Sequence, residues 1–129
     1  MATTRRRALA GALATTVLAT GPLATARPAR AQRPAVKVGA VLEFSGGLEL
    51  FGQQAKLGLD LAAAEINAAG GILGRPVELL YEDNKTDPKT AVEKASRLIA
   101  RDEVVAICGP ITSSARDAMA PTMAHGRTP

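Results

Sequence analysis

From residue 35 onward the chain alternates three times between a Val- and Leu-rich run and a stretch with helical periodicity, which limits its folds more than any other feature. The run "AVKVGAVLEF" (residues 35–44) is almost continuously apolar, as a strand covered on both faces would be. In "QQAKLGLDLAAAEINAAG" (residues 53–70), Ala55, Leu59, Ala62 and Ile66 share one face at the 3.6-residue period, flanked by Leu61 and Ala69. Gly70-Gly71 then supplies a left-handed stop. "PVELLYED" (residues 76–83) reads as the second strand. Asp87 is placed to cap a helix that opens on Pro88, the position proline tolerates best, and turns Ala91, Ala95, Leu98 and Ile99 inward. "EVVAICG" (residues 103–109) is the third strand. "TSSARDAMAPTMAHG" (residues 112–126) is the third helix, with Pro121 limiting or kinking its second half. The alternation predicts an α/β fold, a parallel sheet with helices on both faces and right-handed crossovers. Three strands make a poor doubly wound domain, so a further strand is expected after "GRTP" and the chain reads as the beginning of a larger unit.

Charge bears on partners. Residues 1–31 carry five arginines (Arg5, Arg6, Arg7, Arg27, Arg30) and no acid. Of sixteen basic residues eleven therefore remain in residues 32–129, against twelve acidic ones. The high isoelectric point belongs to the leader, and the rest lacks the basic excess of a nucleic-acid-binding domain. Residues 1–31 read as an export signal: a basic start, a short apolar stretch at residues 8–20, and the small-x-small site "ARA" before Gln32, with "ATA" (residues 24–26) as an earlier candidate. The stretch is too short and too rich in Thr and Gly to span a bilayer. Thr4-Arg5-Arg6 with Leu9 resembles a twin-arginine motif, although Ala8 stands where a bulky apolar residue is usual; Sec export is the alternative. The expected division is an export signal at 1–31 and an incomplete α/β domain at 32–129. Export favours disulfides, but Cys108 is the sole cysteine and lies in an apolar run, so it reads as a buried inert thiol.

In an open parallel sheet, ligands bind beyond the carboxyl ends of the strands. Three segments occupy that edge. In "GPITSSA" (residues 109–115), Gly109 and Pro110 end a strand while Thr112, Ser113 and Ser114 begin a helix. Free N–H groups and hydroxyls there suit an anion such as a carboxylate; ordinary capping is the competing explanation. "SGGLELFG" (residues 45–52) reads as a glycine-punctuated loop. It matches no phosphate-binding fingerprint, and Leu48 and Phe51 either line an apolar pocket or pack where loop meets helix. "EDNKTDP" (residues 82–88) departs from calcium-loop spacing: no glycine stands sixth from Asp83, and Lys94 replaces the terminal acid. Capping and solvation are expected of its acids, and no metal or other cofactor is expected. His125 has no partner for catalysis, and Ser113 and Ser114 lack the nucleophile-elbow glycines. The chain is not expected to be an enzyme.

The blocks "EINAAGGILGRPVEL", "EDNKTDPKTAVEKASRLI" and "GPITSSA" resemble, in order and spacing, the N-terminal part of the leucine/isoleucine/valine-binding protein family, from about Val36 to the end. These are periplasmic substrate-binding proteins of ABC importers with the type I periplasmic-binding fold, two α/β lobes that close on a ligand. The resemblance implies the first half of the first lobe, a small ligand such as a branched-chain amino acid or an amide, a periplasmic location and an ABC permease in the inner membrane as partner. It implies that Ser113 binds the ligand carboxylate through its hydroxyl and amide, that Ser114 adds an amide, and that Phe51 takes the place of an aromatic residue, commonly Tyr, near the ligand side chain. Thr112 stands where some members have a disulfide cysteine, and no cysteine is found near Lys85 to partner one. The rivals are a ligand-sensing domain of the same fold, a truncated remnant without activity, and a Rossmann-type nucleotide enzyme, for which the glycine fingerprint is missing. Half a lobe is expected to leave a sheet edge and apolar helix faces open.

Overall fold

The computed structural model describes residues 33–129; the reading of residues 1–31 as an export signal lies outside the described residues. The order of elements is β1 (Val36–Leu42), α1 (Glu49–Ala68), β2 (Val77–Asp83), α2 (Pro88–Ala100), β3 (Ala106–Cys108) and α3 (Ser113–Gly126). All pairing among the strands is parallel, in the order β2-β1-β3. β1 is central: Val36 to Leu42 pair with Val77 to Asp83 on one side, and Val38 to Ala40 with Ala106 to Cys108 on the other. This explains the near-continuous apolar character of β1, which has a helix packed toward each face.

The two faces differ. On one, α2 and α3 bury a core of Val41, Leu98, Val104, Ile107 and Met119 with Ala91, Ala95 and Ala115. The expected inward positions of α2 hold, with Ile99 packed at the margin. On the other, α1 stands alone. Its expected face, Leu59, Ala62 and Ile66, does turn to Val38, Val77, Leu79 and Cys108, but an open apolar cavity of about 170 Å³ lies between them. Only Gly52 of α1 is buried, and Leu61, expected to flank the inward face, is 62% exposed. One helix cannot cover three strands, so Cys108 borders this cleft half-buried.

Two boundaries differ most from expectation, those of α1 and β3. α1 begins at Glu49 rather than residue 53, so Phe51 and Gly52 belong to its first turn and not to a loop. Glycine punctuation suggested the loop, but Gly52 is there because a Cβ would come within 2.0 Å of the Glu43 carbonyl oxygen, where the helix crosses the end of β1. β3 is shorter than expected because Glu103 takes a left-handed turn (φ 56°) out of α2 and Val104 donates its N–H to Leu98. α3 runs through Pro121 to Gly126 and closes on Arg127 in the left-handed conformation. Beyond it, the Ile107 N–H donates to the Pro129 carbonyl at 2.8 Å, so the end of the chain lies along the outer edge of β3.

Candidate functional site

The loops after all three strands meet at the carboxyl edge of the sheet, and two carboxylates bind them together. Asp83 ends β2. Its Oδ1 accepts N–H groups from Phe44 (3.0 Å), Ser45 (3.2 Å) and Lys85 (2.9 Å), and its Oδ2 accepts the Ser45 hydroxyl at 2.6 Å. The Thr86 hydroxyl adds a bond to the Ser45 carbonyl at 2.9 Å. The first and second loops thus form one body. "EDNKTDP" does what capping and solvation would have it do: Glu82 pairs with Lys94 and Arg97, and the Asp87 side chain accepts the Thr90 N–H at 2.7 Å.

Glu43 reaches the third loop. It follows β1 and is fully buried. Its Oε1 accepts from Asn84 Nδ2 (3.1 Å), the N–H groups of Ile111 (3.1 Å) and Thr112 (3.2 Å), and the Thr112 hydroxyl (3.2 Å). Burial by itself would raise its pKa, but the Asn84 amide and the donors of Thr112 and Ile111 hold the carboxyl below its ordinary value. Asp83 follows the same logic, with burial opposed chiefly by the Ser45 hydroxyl and the N–H of Lys85. Both are ionised at neutral pH, as a buried acceptor ringed by donors should be.

α3 starts just beyond. Gly109 has φ +90°, and a Cβ on it would meet the Val41 carbonyl oxygen at 2.3 Å; the Gly109–Pro110 bond is cis. Thr112 is the N-cap residue, yet its side chain makes no cap hydrogen bond, because the hydroxyl points to Glu43. The first helical bond at this end runs from the Arg116 N–H to the Thr112 carbonyl at 3.1 Å. The N–H groups of Ser113, Ser114 and Ala115 therefore have no acceptor among the described residues. Ser113 and Ser114 are both exposed.

Residues 35–129 match the family described as periplasmic binding protein. The chain belongs to the periplasmic binding protein family. An amino acid binding protein of Pseudomonas aeruginosa is 39% identical over 79 residues, 61% of this chain and 21% of that protein. The Leu/Ile/Val-binding protein homolog 7 of Brucella suis is 40% identical over 91 residues, 70% of this chain and 22% of that protein. Among solved structures, the branched-chain amino acid transporter substrate binding protein LivJ from Streptococcus pneumoniae, in complex with isoleucine, superposes with a TM-score of 0.71 at 36% identity, covering 74% of this chain and 27% of that one. The chain spans about a fifth of the length of the curated relatives it matches.

In this periplasmic binding protein the three residues singled out in the sequence fall on the same edge. Ser113 and Ser114 open α3 after β3, and Phe51, 56% exposed, sits in the first turn of α1 after β1. The neighbour of Phe51, Gly52, touches the Glu43 backbone, and the Glu43 side chain holds Thr112, the neighbour of Ser113. A hydrogen-bonded path through Glu43 joins Thr112 to Asn84, beside Lys85. Glu43 itself was missed in the sequence. A signal for it was present: Gly39, Val41 and Glu43 alternate onto one covered face, which places a carboxylate where charges are rare unless partnered. Among the described residues, no group of three His, Cys, Asp or Glu side chains could hold a metal, and no helix is long and apolar enough to cross a membrane.

Proposed function

We propose that this chain is the N-terminal part of the solute-binding component of an ABC importer that captures a branched-chain amino acid or a similar small zwitterion. The observation that carries the reading is the open start of α3. The Thr112 hydroxyl leaves the cap position, and three N–H groups with two serine hydroxyls remain for a ligand carboxylate. Ser113 takes the carboxylate through hydroxyl and amide, Ser114 adds its amide, and Phe51 offers an apolar surface to the ligand side chain. The partner for the ligand ammonium group is supplied from outside residues 33–129. The isoleucine in the LivJ complex supports the ligand class. Residues 1–31 direct export to the periplasm by the twin-arginine or Sec route, and an ABC permease in the inner membrane receives the ligand.

Calorimetry on the protein as natively produced tests this, with leucine, isoleucine, valine and leucinol. The expected result is micromolar binding of at least one amino acid and loss of binding for leucinol, which lacks the carboxylate. Ser113→Ala should weaken the amino acid about tenfold or more, the worth of one hydrogen bond to a charged group. Leucinol binding as tightly as leucine would overturn the carboxylate assignment.

A further inference from the structure

We infer that Glu43 is a positioning residue that keeps the ligand end of α3 open by drawing the Thr112 hydroxyl away from it. The inference rests on the reading of Ser113 and Ser114 as the carboxylate site.

A threonine at an N-cap normally turns its hydroxyl oxygen onto the N–H of the second or third helical residue. In α3 these are Ser114 and Ala115. Thr112 has the extended backbone of a cap residue (φ −78°, ψ 133°) and nevertheless makes no cap bond. Its hydroxyl instead donates to Glu43 Oε1, which also accepts the Thr112 and Ile111 N–H groups. A buried carboxylate is a stronger acceptor for that hydroxyl than a neutral group, and the two backbone bonds set the loop at the distance the hydroxyl needs. The contrast within the chain is direct. Asp87 caps α2 in the ordinary way, accepting the Thr90 N–H at 2.7 Å; its carboxylate can only accept, whereas the Thr112 hydroxyl can also donate and is drawn to Glu43. Without Glu43, the Thr112 hydroxyl is free to rotate back and cap its own helix. The ligand would then compete with a group of the protein for the same donors. Glu43 is fully buried and bonds Asn84, Ile111 and Thr112, and of these groups only the Thr112 hydroxyl can turn onto the first N–H groups of α3.

The test compares Glu43→Ala, Thr112→Val and the double variant in the protein as natively produced, and has two readouts. The first needs no ligand. Amide hydrogen exchange at Ser114 and Ala115 should slow in Glu43→Ala, as the Thr112 hydroxyl caps one of them, and recover in the double variant, which has no hydroxyl. The second is affinity for leucine. Thr112→Val alone should change it less than twofold, Glu43→Ala should weaken it by about fivefold, the factor an ordinary cap bond contributes, and the double variant should recover most of that loss. A merely structural role for Glu43 would make the double variant no better than Glu43→Ala in either readout, and that result overturns the inference. A loss in Thr112→Val as large as that in Glu43→Ala overturns it as well. Should Glu43→Ala not fold, Glu43→Gln takes its place: the neutral carbonyl holds the hydroxyl less firmly, and the same slowing and recovery should appear at smaller size. If leucine does not bind the unmodified protein, the proposed function fails while the exchange pattern still decides the role of Glu43.

Discussion

Two glycines in one helix should respond oppositely to the same substitution. Gly52 lies in the first turn of α1, and a Cβ placed on it would stand 2.0 Å from the Glu43 carbonyl oxygen and 2.6 Å from its carbon. These are backbone atoms of the chain leaving the central strand, so relief requires α1 or the end of β1 to move by about an ångström. Forcing an extra carbon into a packed site costs about 1–3 kcal/mol, and a backbone neighbour puts Gly52→Ala near the upper end. Alanine in place of glycine within a helix contributes about 1 kcal/mol in the other direction. The net expectation is a loss of about 2 kcal/mol. Gly58 sits in the same helix with nothing within 4 Å of its would-be Cβ, so Gly58→Ala should gain up to about 1 kcal/mol. Equilibrium urea unfolding of the two variants beside the unmodified protein measures both, and the denaturant slope shows whether the unfolded states are comparable. Gly52→Ala as stable as the parent would refute the close crossing of α1 over Glu43. A destabilised Gly58→Ala would refute the attribution of the difference to packing. Because Phe51 adjoins Gly52, the shift forced by Gly52→Ala should also weaken ligand binding, whereas Gly58→Ala should leave affinity unchanged.

Other expectations are local. Asp87→Ala removes the side-chain acceptor for the Thr90 N–H and should cost about 1 kcal/mol in urea unfolding, with Asp87→Asn close to the parent. Stability should also depend on acid. Glu43 and Asp83 have folded pKa values below their ordinary values of 4.5 and 3.8. Each therefore contributes stability that is fully present above its unfolded value and lost as pH falls through the folded one. Thermal melts should be level from neutral pH to about pH 5 and decline below it. Asp83→Asn should flatten the decline, and a stability that rises on acidification below pH 4.5 would contradict the bonding seen around both groups.

The order of elements was legible in the sequence because each signal is local. Near-continuous apolar runs, the 3.6-residue period, Asp87 before Pro88, and Gly70-Gly71 after the first helix all act within a few residues. What the sequence misplaced was decided at longer range. Gly52 looks like loop punctuation until β1 passes beneath it, and the true start of α1 is marked only by Glu49, whose carboxylate reaches back to the Gly47 N–H. The poor burial of α1 was invisible because a helix can be amphipathic in pattern and still lack enough neighbours to cover it. The placement of Ser113 and Ser114 at a helix start followed from the strand-turn-helix pattern. The orientation of Thr112 did not, because it depends on a carboxylate 69 residues earlier.

That separation also bears on the order of assembly. The Asp87 cap spans three residues and can form as soon as its own turn does. The contacts of Glu43 join Asn84 across 41 residues and Ile111 across 68. Closing loops of that length costs entropy that is offset only when β1 already has β2 and β3 beside it. The start of α3 should therefore become fixed late, after the sheet has formed, and substitutions at Glu43 should speed unfolding more than they slow folding. In a partly folded chain Glu43 has not yet reached Thr112 across the 69 residues between them, so the state of the α3 end that we propose for ligand capture is set only once the sheet beneath it is complete.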